Sequence, residues 1–510
     1  MYSREKNIIP FHPQTSRNPE ISTIPLELLA ISRYFDSSYN VTIIDGELNS
    51  NYEKEIEERS KNALCIGISS MTGFQIHQAL KAAYAARRSN PHIKIIWGGW
   101  HPSVEPRQTI AHPLVDIIVK GQGDIVFKEI VDALVDKKDL STINGITLKR
   151  DGEIIDNPQN PLCDISKFPR LPFHLLDLEK YVRHSRMGLR NLHYYSSQGC
   201  PFKCTFCADS MVNKRRWVAN SPEQFISDII YFKERFDIDS CTVVDSNFFI
   251  NIKRVREICK LLIDKRLGVN FGNLNGRASQ LKKLTRDDWE LFNAAGFKEI
   301  FIGAESALQE SLDFIKKGIA AEDILTVAEA IKDFDIRMTF SFMMGLPRDE
   351  QFNTSKKHLH TELNSAIALT DKIFKINPNA TSWYFIYTPY PGTPLFNLSI
   401  KKGFQKPGTL EEWQTLDLLQ DKVPWIPKEF TKKIAFLTGF VFYYMLQSRF
   451  EYNVRSTKNP VKRFLYLLFF KSTNFRWRKK FFRLRIDYWI KNLYETCIPI
   501  YMRLKNIIKN

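Results

Sequence analysis

The chain has 510 residues with 44% hydrophobic and 25% charged side chains, the balance of an ordinary globular protein. That length allows two or three domains, and 8 cysteines, three of them clustered and five scattered, exclude a small disulfide-stapled scaffold. The net charge of +17 is uneven, because Thr431 to Asn510 carries 18 Lys and Arg against 3 Asp and Glu; the basic character belongs to the tail. Cysteine usage points to a reducing, cytosolic compartment. Met1 to Arg17 is polar and interrupted by Pro10 and Pro13, so no signal peptide is expected there.

Residues 22–140 alternate short apolar strands with helices. Val41 to Asp45, Ala63 to Ser69, Ile93 to Trp97 and Val115 to Val119 read as strands, and Phe74 to Arg88 and Asp124 to Val135 have helical periodicity. Nearly all-apolar strands separated by helices predict a doubly wound parallel sheet covered on both faces. Ligands of such sheets bind at the carboxyl ends of the strands. Three loops qualify: Ser69-Ser70-Met71-Thr72-Gly73, Gly98-Gly99-Trp100-His101-Pro102 and Gly121-Gln122-Gly123-Asp124. Their glycines let the backbone approach a bulky ligand, and their hydroxyls and amides offer hydrogen bonds. His101 reads as a metal ligand or, more simply, as a loop-stabilising hydrogen-bond partner. Residues 141–191 read as a connector, a hairpin split by Asp151-Gly152 followed by the proline-fixed stretch Phe168 to Phe173.

Residues 192–404 repeat strand then helix, with strands expected at 193–198, 241–246, 269–275, 299–305, 338–344 and 382–388. Six units predict a partial (β/α)6 barrel with its chemistry at the strand carboxyl ends. The first strand runs into Cys200-Pro201-Phe202-Lys203-Cys204-Thr205-Phe206-Cys207. Thiolates suit iron–sulfur clusters and zinc. A structural zinc site closes its fourth position, usually with a second Cys or His pair, and no such pair follows at zinc-ribbon spacing. Three ligands from one loop therefore leave an open corner where a substrate or cofactor binds. Later strand ends carry Asp245 and Asn247, then Arg277, Glu305, Gly345 and the turn Thr388 to Pro394. Arg215-Arg216-Trp217 reads as packing over the cysteine site or, more simply, as capping the next helix, whose start is Ser221-Pro222-Glu223.

The cysteine array, with the aromatic Phe206 before its third cysteine, resembles the signature of the radical S-adenosylmethionine (SAM) enzymes. The resemblance implies a [4Fe–4S] cluster on Cys200, Cys204 and Cys207, with SAM chelating the unique iron and being cleaved to a 5′-deoxyadenosyl radical. It assigns Asp245 and Asn247 to the SAM amine, Arg277 to a carboxylate, Glu305 (in Ile302-Gly303-Ala304-Glu305-Ser306) to the SAM ribose or amine, and Gly345-Leu346-Pro347 to the adenine region. The first-domain loops resemble those of cobalamin-binding radical SAM proteins, with Gln122 standing at an acidic position. They imply cobalamin against Ser69, Ser70, Thr72, Gly73, Gly98, Gly99, His101, Gly121, Gln122 and Gly123. No D-x-H-x-x-G motif occurs, so the resemblance is to the branch without that histidine ligand. Methylthiotransferases are disfavoured, because only Cys65 and Cys163 precede Cys200.

The expected activity is methylation of an unactivated carbon of a small or lipid-like substrate, in which the deoxyadenosyl radical removes a hydrogen and methylcobalamin supplies the methyl group. Cyclisation, as in the anaerobic tetrapyrrole cyclases, and a non-catalytic carrier role are the alternatives. An electron donor such as flavodoxin or ferredoxin is implied. In the tail (405–510), Ile434 to Leu446 is shorter than the ~20 residues that span a bilayer. Ile486, Trp489, Ile490, Leu493 and Cys497 share one helical face beside Arg485 and Lys491. Such cationic, aromatic helices suit the inner face of an anionic membrane, or a helical cap packed on the barrel with a solvated basic face, more than a nucleic acid, for which no recognition module is visible.

Overall fold

The computed structural model describes residues 6–16, 23–348, 356–416 and 423–494. The first domain is one sheet. Strand β1 (Asn7–His12) is flanked on one side by β2 (Asn40–Val41) and β3 (Ile44–Asp45), and on the other by β4 (Ala63–Ser69), β5 (Lys94–Gly98) and β6 (Ile117–Val119), all parallel. Alternate residues enter opposite cores. Cys65, Ile96, Ile117 and Val119 meet Phe127 and Ile130 of the helix Asp124–Asp136, whereas Ile66, Ile95, Trp97 and Ile118 join the cluster of Ala79, Ala82 and Ala86 from the helix Phe74–Ser89. That two-sided burial is why the strands read as continuous apolar runs.

Two features differ from the expected 22–140 domain and 141–191 connector. Strand β1 precedes residue 22. Its Pro10 has no N–H to give a ladder, which argues against an interior strand, but Ile8, Ile9 and Phe11 are all buried in the sheet's two cores and their burial prevails. The hairpin β7 (Ile146–Arg150) and β8 (Glu153–Asp156) extends the first sheet, antiparallel to β6, with Ile146 and Leu148 buried.

In the second domain β9 (Asn191–Tyr194) opens the barrel, and the short antiparallel pair β10 (Ser197–Gly199) and β11 (Trp217–Ala219) brackets the cysteine loop. One wall then joins β9, β12 (Ser240–Val243) and β13 (Asn270–Gly272). The other joins β14 (Leu274–Gly276), β15 (Glu299–Glu305), β16 (Arg337–Met344) and β17 (Thr381–Ile386), with every pairing parallel. The third repeat breaks at Asn273, which has φ +55° and whose side-chain amide donates to the Val243 carbonyl at 3.0 Å.

The segment after the barrel returns to the first domain, where the buried Trp413 donates its Nε1–H to Gln108 Oε1 at 2.7 Å. The helix Lys428–Phe436 and the π-helical turn Leu437–Phe442 then cover the outer face of β17. The ring of Phe442 lies 4.8 Å from that of Tyr384, and the Thr438 hydroxyl bonds both backbone groups of Tyr384. The apolar run Ile434 to Leu446 is thus a cap on the barrel. The later helices differ. Phe464, Leu467, Leu468 and Phe475 lie exposed on one face of Pro460–Lys479 with Lys471 and Arg478, and Ile486, Trp489, Ile490 and Leu493 are exposed beyond it. Cys497 is outside the described residues. Among the described residues, no helix is long and apolar enough to cross a membrane.

Candidate active site

The cysteine loop is fixed from beneath. Gly199 has φ +81°, and a Cβ there would come within 2.2 Å of the Arg216 carbonyl, so glycine lets the loop turn against Arg215 to Trp217. Phe206 packs among Ile315, Leu346, Tyr387 and Leu395, while the Thr205 N–H donates to the Ile315 carbonyl and the Leu395 N–H to that of Thr205. The turn Thr388 to Pro394 ends in an N-cap, with the Thr393 hydroxyl accepting from the Phe396 N–H and Pro394 opening the helix.

The three cysteines are free, Cys204 buried and Cys200 and Cys207 half-buried. Burial raises the pKa of Cys200 and pushes that of Cys207 up to about 12, so both are thiols until a metal displaces their protons. Among the described residues no group of His, Cys, Asp or Glu is gathered as a metal-ion site. Three soft donors on one loop, with a guanidinium beside Cys204, suit a thiolate-held iron–sulfur cluster. The Nη1 of Arg277 lies 3.6 Å from Cys204 Sγ and its guanidinium carbon 3.9 Å from the centre of the Phe202 ring.

Several expected SAM contacts are occupied by the protein. Arg277 braces the cysteine loop through its contacts with Cys204 and Phe202, and its Nε has no hydrogen-bond partner among the described residues. Asp245 is buried and accepts from the N–H groups of Ser196 and Ser197 at 2.6 and 3.1 Å and from both their hydroxyls at 2.7 Å. It ties the end of β12 to the approach of the cluster loop and is not free for the SAM amine. Asn247 likewise turns inward, donating to Gln280 Oε1 and accepting from the Phe249 N–H. Glu305 has φ +60° at a bulge in β15 and pairs with Lys317 at 2.7 Å, beside Phe206. Gly345 has φ +79°; its N–H donates to Glu362 and its carbonyl accepts from Trp425 Nε1.

A cavity of about 470 Å³ joins the two domains. Ser69, Gly98, Gly99, Gly121, Gln122 and Gly123 line it from the first sheet, and His193, Ser197, Gln198, Gly199 and Ser246 from the barrel. Gln122 spans the junction, donating to Gln198 Oε1 and accepting from the Cys163 N–H, both at 2.8 Å. An amide performs both tasks, which a carboxylate at this position could not. Asp124 is tied 3.2 Å from Arg33, whose guanidinium also donates to the Tyr195 hydroxyl. Ser70, Thr72, Gly73 and His101 do not line the cavity. His101 bonds Thr72 Oγ1 through Nδ1 at 3.0 Å and packs edge-on against Trp413, and burial depresses its pKa to about 3. It is a neutral loop brace. Gly73 approaches the Leu416 carbonyl instead.

Sequence reasoning missed His12, Glu27, His193, Asp209 and Lys317. All but Lys317 line the cavity. His193 is neutral at physiological pH, because burial lowers its pKa to about 4, and its Nδ1 has no partner among the described residues. Asp209 accepts from the Ser246 hydroxyl at 2.5 Å. Strand alternation could have turned His193 toward the barrel interior; no motif marks the others.

Residues 17–131 match the model of the B12 binding domain and residues 194–355 that of the Radical SAM superfamily. The chain is a cobalamin-dependent radical SAM enzyme. Like others of this family, it takes cobalamin, SAM and a [4Fe–4S] cluster as cofactors and uses a small-molecule substrate and a reductant. It is 26% identical over 397 residues to an uncharacterized methyltransferase, PH0819, of Pyrococcus horikoshii, covering 77% of this chain and 82% of that protein. It is 26% identical to the anaerobic magnesium-protoporphyrin IX monomethyl ester cyclase of Synechocystis, over 66% of this chain and 70% of that one. In fold, this cobalamin-dependent radical SAM enzyme resembles the cobalamin-dependent SAM radical enzyme OxsB, with TM-score 0.67, 18% identity and coverage of 92% and 71%. It also resembles the radical SAM methyltransferase TsrM of Kitasatospora setae, with TM-score 0.62, 14% identity and coverage of 79% and 76%.

Proposed function

We propose that the enzyme transfers a methyl group to an unactivated carbon of a small or lipid-like substrate. The observation that carries this reading is the cavity shared by the glycine loops of the first sheet and the approach to Cys200. Two cofactors that act on one reactive carbon must face one enclosed space, or solvent intercepts the radical. When bound, the cluster and SAM supply hydrogen abstraction, and cobalamin supplies the methyl group.

In this reading Cys200, Cys204 and Cys207 hold the cluster, with Arg277 and Phe206 positioning their loop. Glu305 and the backbone at Gly345 bound the SAM site, and Asp245 holds the cluster approach through Ser196 and Ser197. Ser69, Gly98, Gly99 and Gly121 to Gly123 bound the corrinoid. A flavodoxin or ferredoxin supplies electrons. The matched methyltransferase favours methyl transfer, and the matched cyclase carries a second reading, oxidative cyclisation without methylation.

The exposed apolar face of the tail lies beside the exposed Arg463, Lys471, Arg478, Lys479 and Arg483. Cationic charge around exposed aromatics fits an anionic bilayer surface, and we place the enzyme there, in a cytoplasmic setting, with a membrane-partitioned substrate. SAM with a labelled methyl group, incubated with reduced holoenzyme and a lipid extract, tests both parts. Label in an extractable product, accompanied by S-adenosylhomocysteine, supports methylation. A modified product without label selects cyclisation.

A further inference from the structure

His12 ends β1 ahead of the matched B12-binding residues and is one of the residues that line the cavity. Its Nδ1 lies 2.6 Å from Glu27 Oε1. Its Nε2 is buried and has no hydrogen-bond partner among the described residues, and the residue is 6% exposed. An unpaired buried polar atom costs stability unless a ligand satisfies it.

The groups around His12 come from four elements. Glu27 lies on the helix Leu26–Ser32 and Asp45 ends β3. Glu47 follows and is held by the N–H and hydroxyl of Thr15. Tyr181, from the connector, donates to Asp45 Oδ2 at 2.7 Å. Gln75, on the helix Phe74–Ser89, donates to the Pro13 carbonyl and accepts from the Met71 N–H. Three carboxylates thus face one imidazole.

We propose that His12 anchors the corrinoid by donating its Nε2–H to an oxygen of that ligand, either a ring carboxamide or the phosphate of the nucleotide tail. The inference rests on the corrinoid occupying this cavity. The charge balance supports a donor. Burial lowers the His12 pKa, but Glu27, then Asp45 and Glu47, outweigh it and raise the value to about 9. Both ring nitrogens then carry protons at neutral pH, and Nε2 has no lone pair for cobalt.

The test is binding of methylcobalamin and methylcobinamide to the full-length, cluster-loaded protein, followed by visible absorbance, for wild type, His12→Ala and His12→Gln. Methylcobinamide keeps the ring carboxamides and lacks the nucleotide tail. His12→Ala weakens binding by about tenfold to a hundredfold, the effect of losing a hydrogen bond from a charged donor. His12→Gln keeps an N–H donor and loses less; it also carries the test if thermal melting shows the alanine variant unfolded. Wild-type affinity falls as pH rises through about 9, whereas the glutamine variant is flat. Equal losses for both corrinoids assign the acceptor to the ring; loss for methylcobalamin alone assigns it to the phosphate. Unchanged affinity in folded variants overturns the inference. So does a cob(II)alamin EPR splitting that changes on 15N-histidine labelling, which would make Nε2 a cobalt ligand. Failure of wild type to bind either corrinoid overturns the cavity assignment itself.

Discussion

The approach to the cysteines and the cavity between the two domains use their polar groups differently. At the barrel mouth, Asp245 and Asn247 are engaged by other parts of the protein at the approach to the cysteines, and Arg277 reaches Cys204 through Nη1 while its Nε has no hydrogen-bond partner among the described residues. In the cavity, His12 Nε2 and His193 Nδ1 are left without partners among the described residues, against loops whose glycines offer backbone. The contrast separates scaffolding from ligand recognition. Motif residues at the barrel mouth pre-form the cluster loop, while a ligand entering the cavity meets unpaired donors and acceptors.

The largest expected effect comes from removing a cluster ligand. Cys204→Ala leaves two thiolates, and the reconstituted protein loses its bound iron and its SAM cleavage, read by iron assay and 5′-deoxyadenosine release. Full cleavage by this variant would remove the loop from the chemistry. Next is Asp245→Ala. It leaves the Ser196 and Ser197 N–H groups buried without an acceptor, and urea unfolding should show a loss of roughly 3 kcal/mol. Unchanged stability with weakened SAM binding would instead return Asp245 to the cofactor and erase the contrast.

A pH series sharpens the cavity side. The His12 pKa is raised from 6.5 to about 9 in the folded protein, so its stabilising contribution is complete below pH 6.5 and is lost as pH rises through about 9. That slope amounts to at most about 3 kcal/mol and is absent in His12→Gln. His101 has the opposite sign. Its pKa is depressed to about 3, so stability falls as pH drops below 6.5. The smallest effect on folding is expected at the tail. Trp489→Glu at an exposed position changes stability by less than about 0.5 kcal/mol yet reduces flotation with anionic vesicles. Equal flotation of wild type and variant would leave the apolar face without a membrane role.

The strand–helix alternation, the cysteine loop and the glycine loops were legible because each has a local pattern: a continuous apolar run, a fixed thiol spacing, a turn that needs no Cβ. Strand β1 was hidden because Pro10 and Pro13 suggest a loop, whereas burial of Ile8, Ile9 and Phe11 depends on distant partners. The inward turn of Asp245 was hidden for a similar reason. Four donors from Ser196 and Ser197 lie some fifty residues away, and sequence places the carboxylate at a strand end without saying what reaches it first. His101 stood in a loop that resembles a cofactor loop, but Trp413, three hundred residues later, covers it.

The central claim, that two cofactors act in one cavity, is tested most directly with anaerobically purified, cluster-reconstituted enzyme. The protein is mixed with hydroxocobalamin, desalted and examined by visible spectroscopy, then given SAM and reductant and assayed for 5′-deoxyadenosine and S-adenosylhomocysteine. Retained cobalamin with both products is the predicted result. Formation of 5′-deoxyadenosine by protein that retains no cobalamin would contradict it.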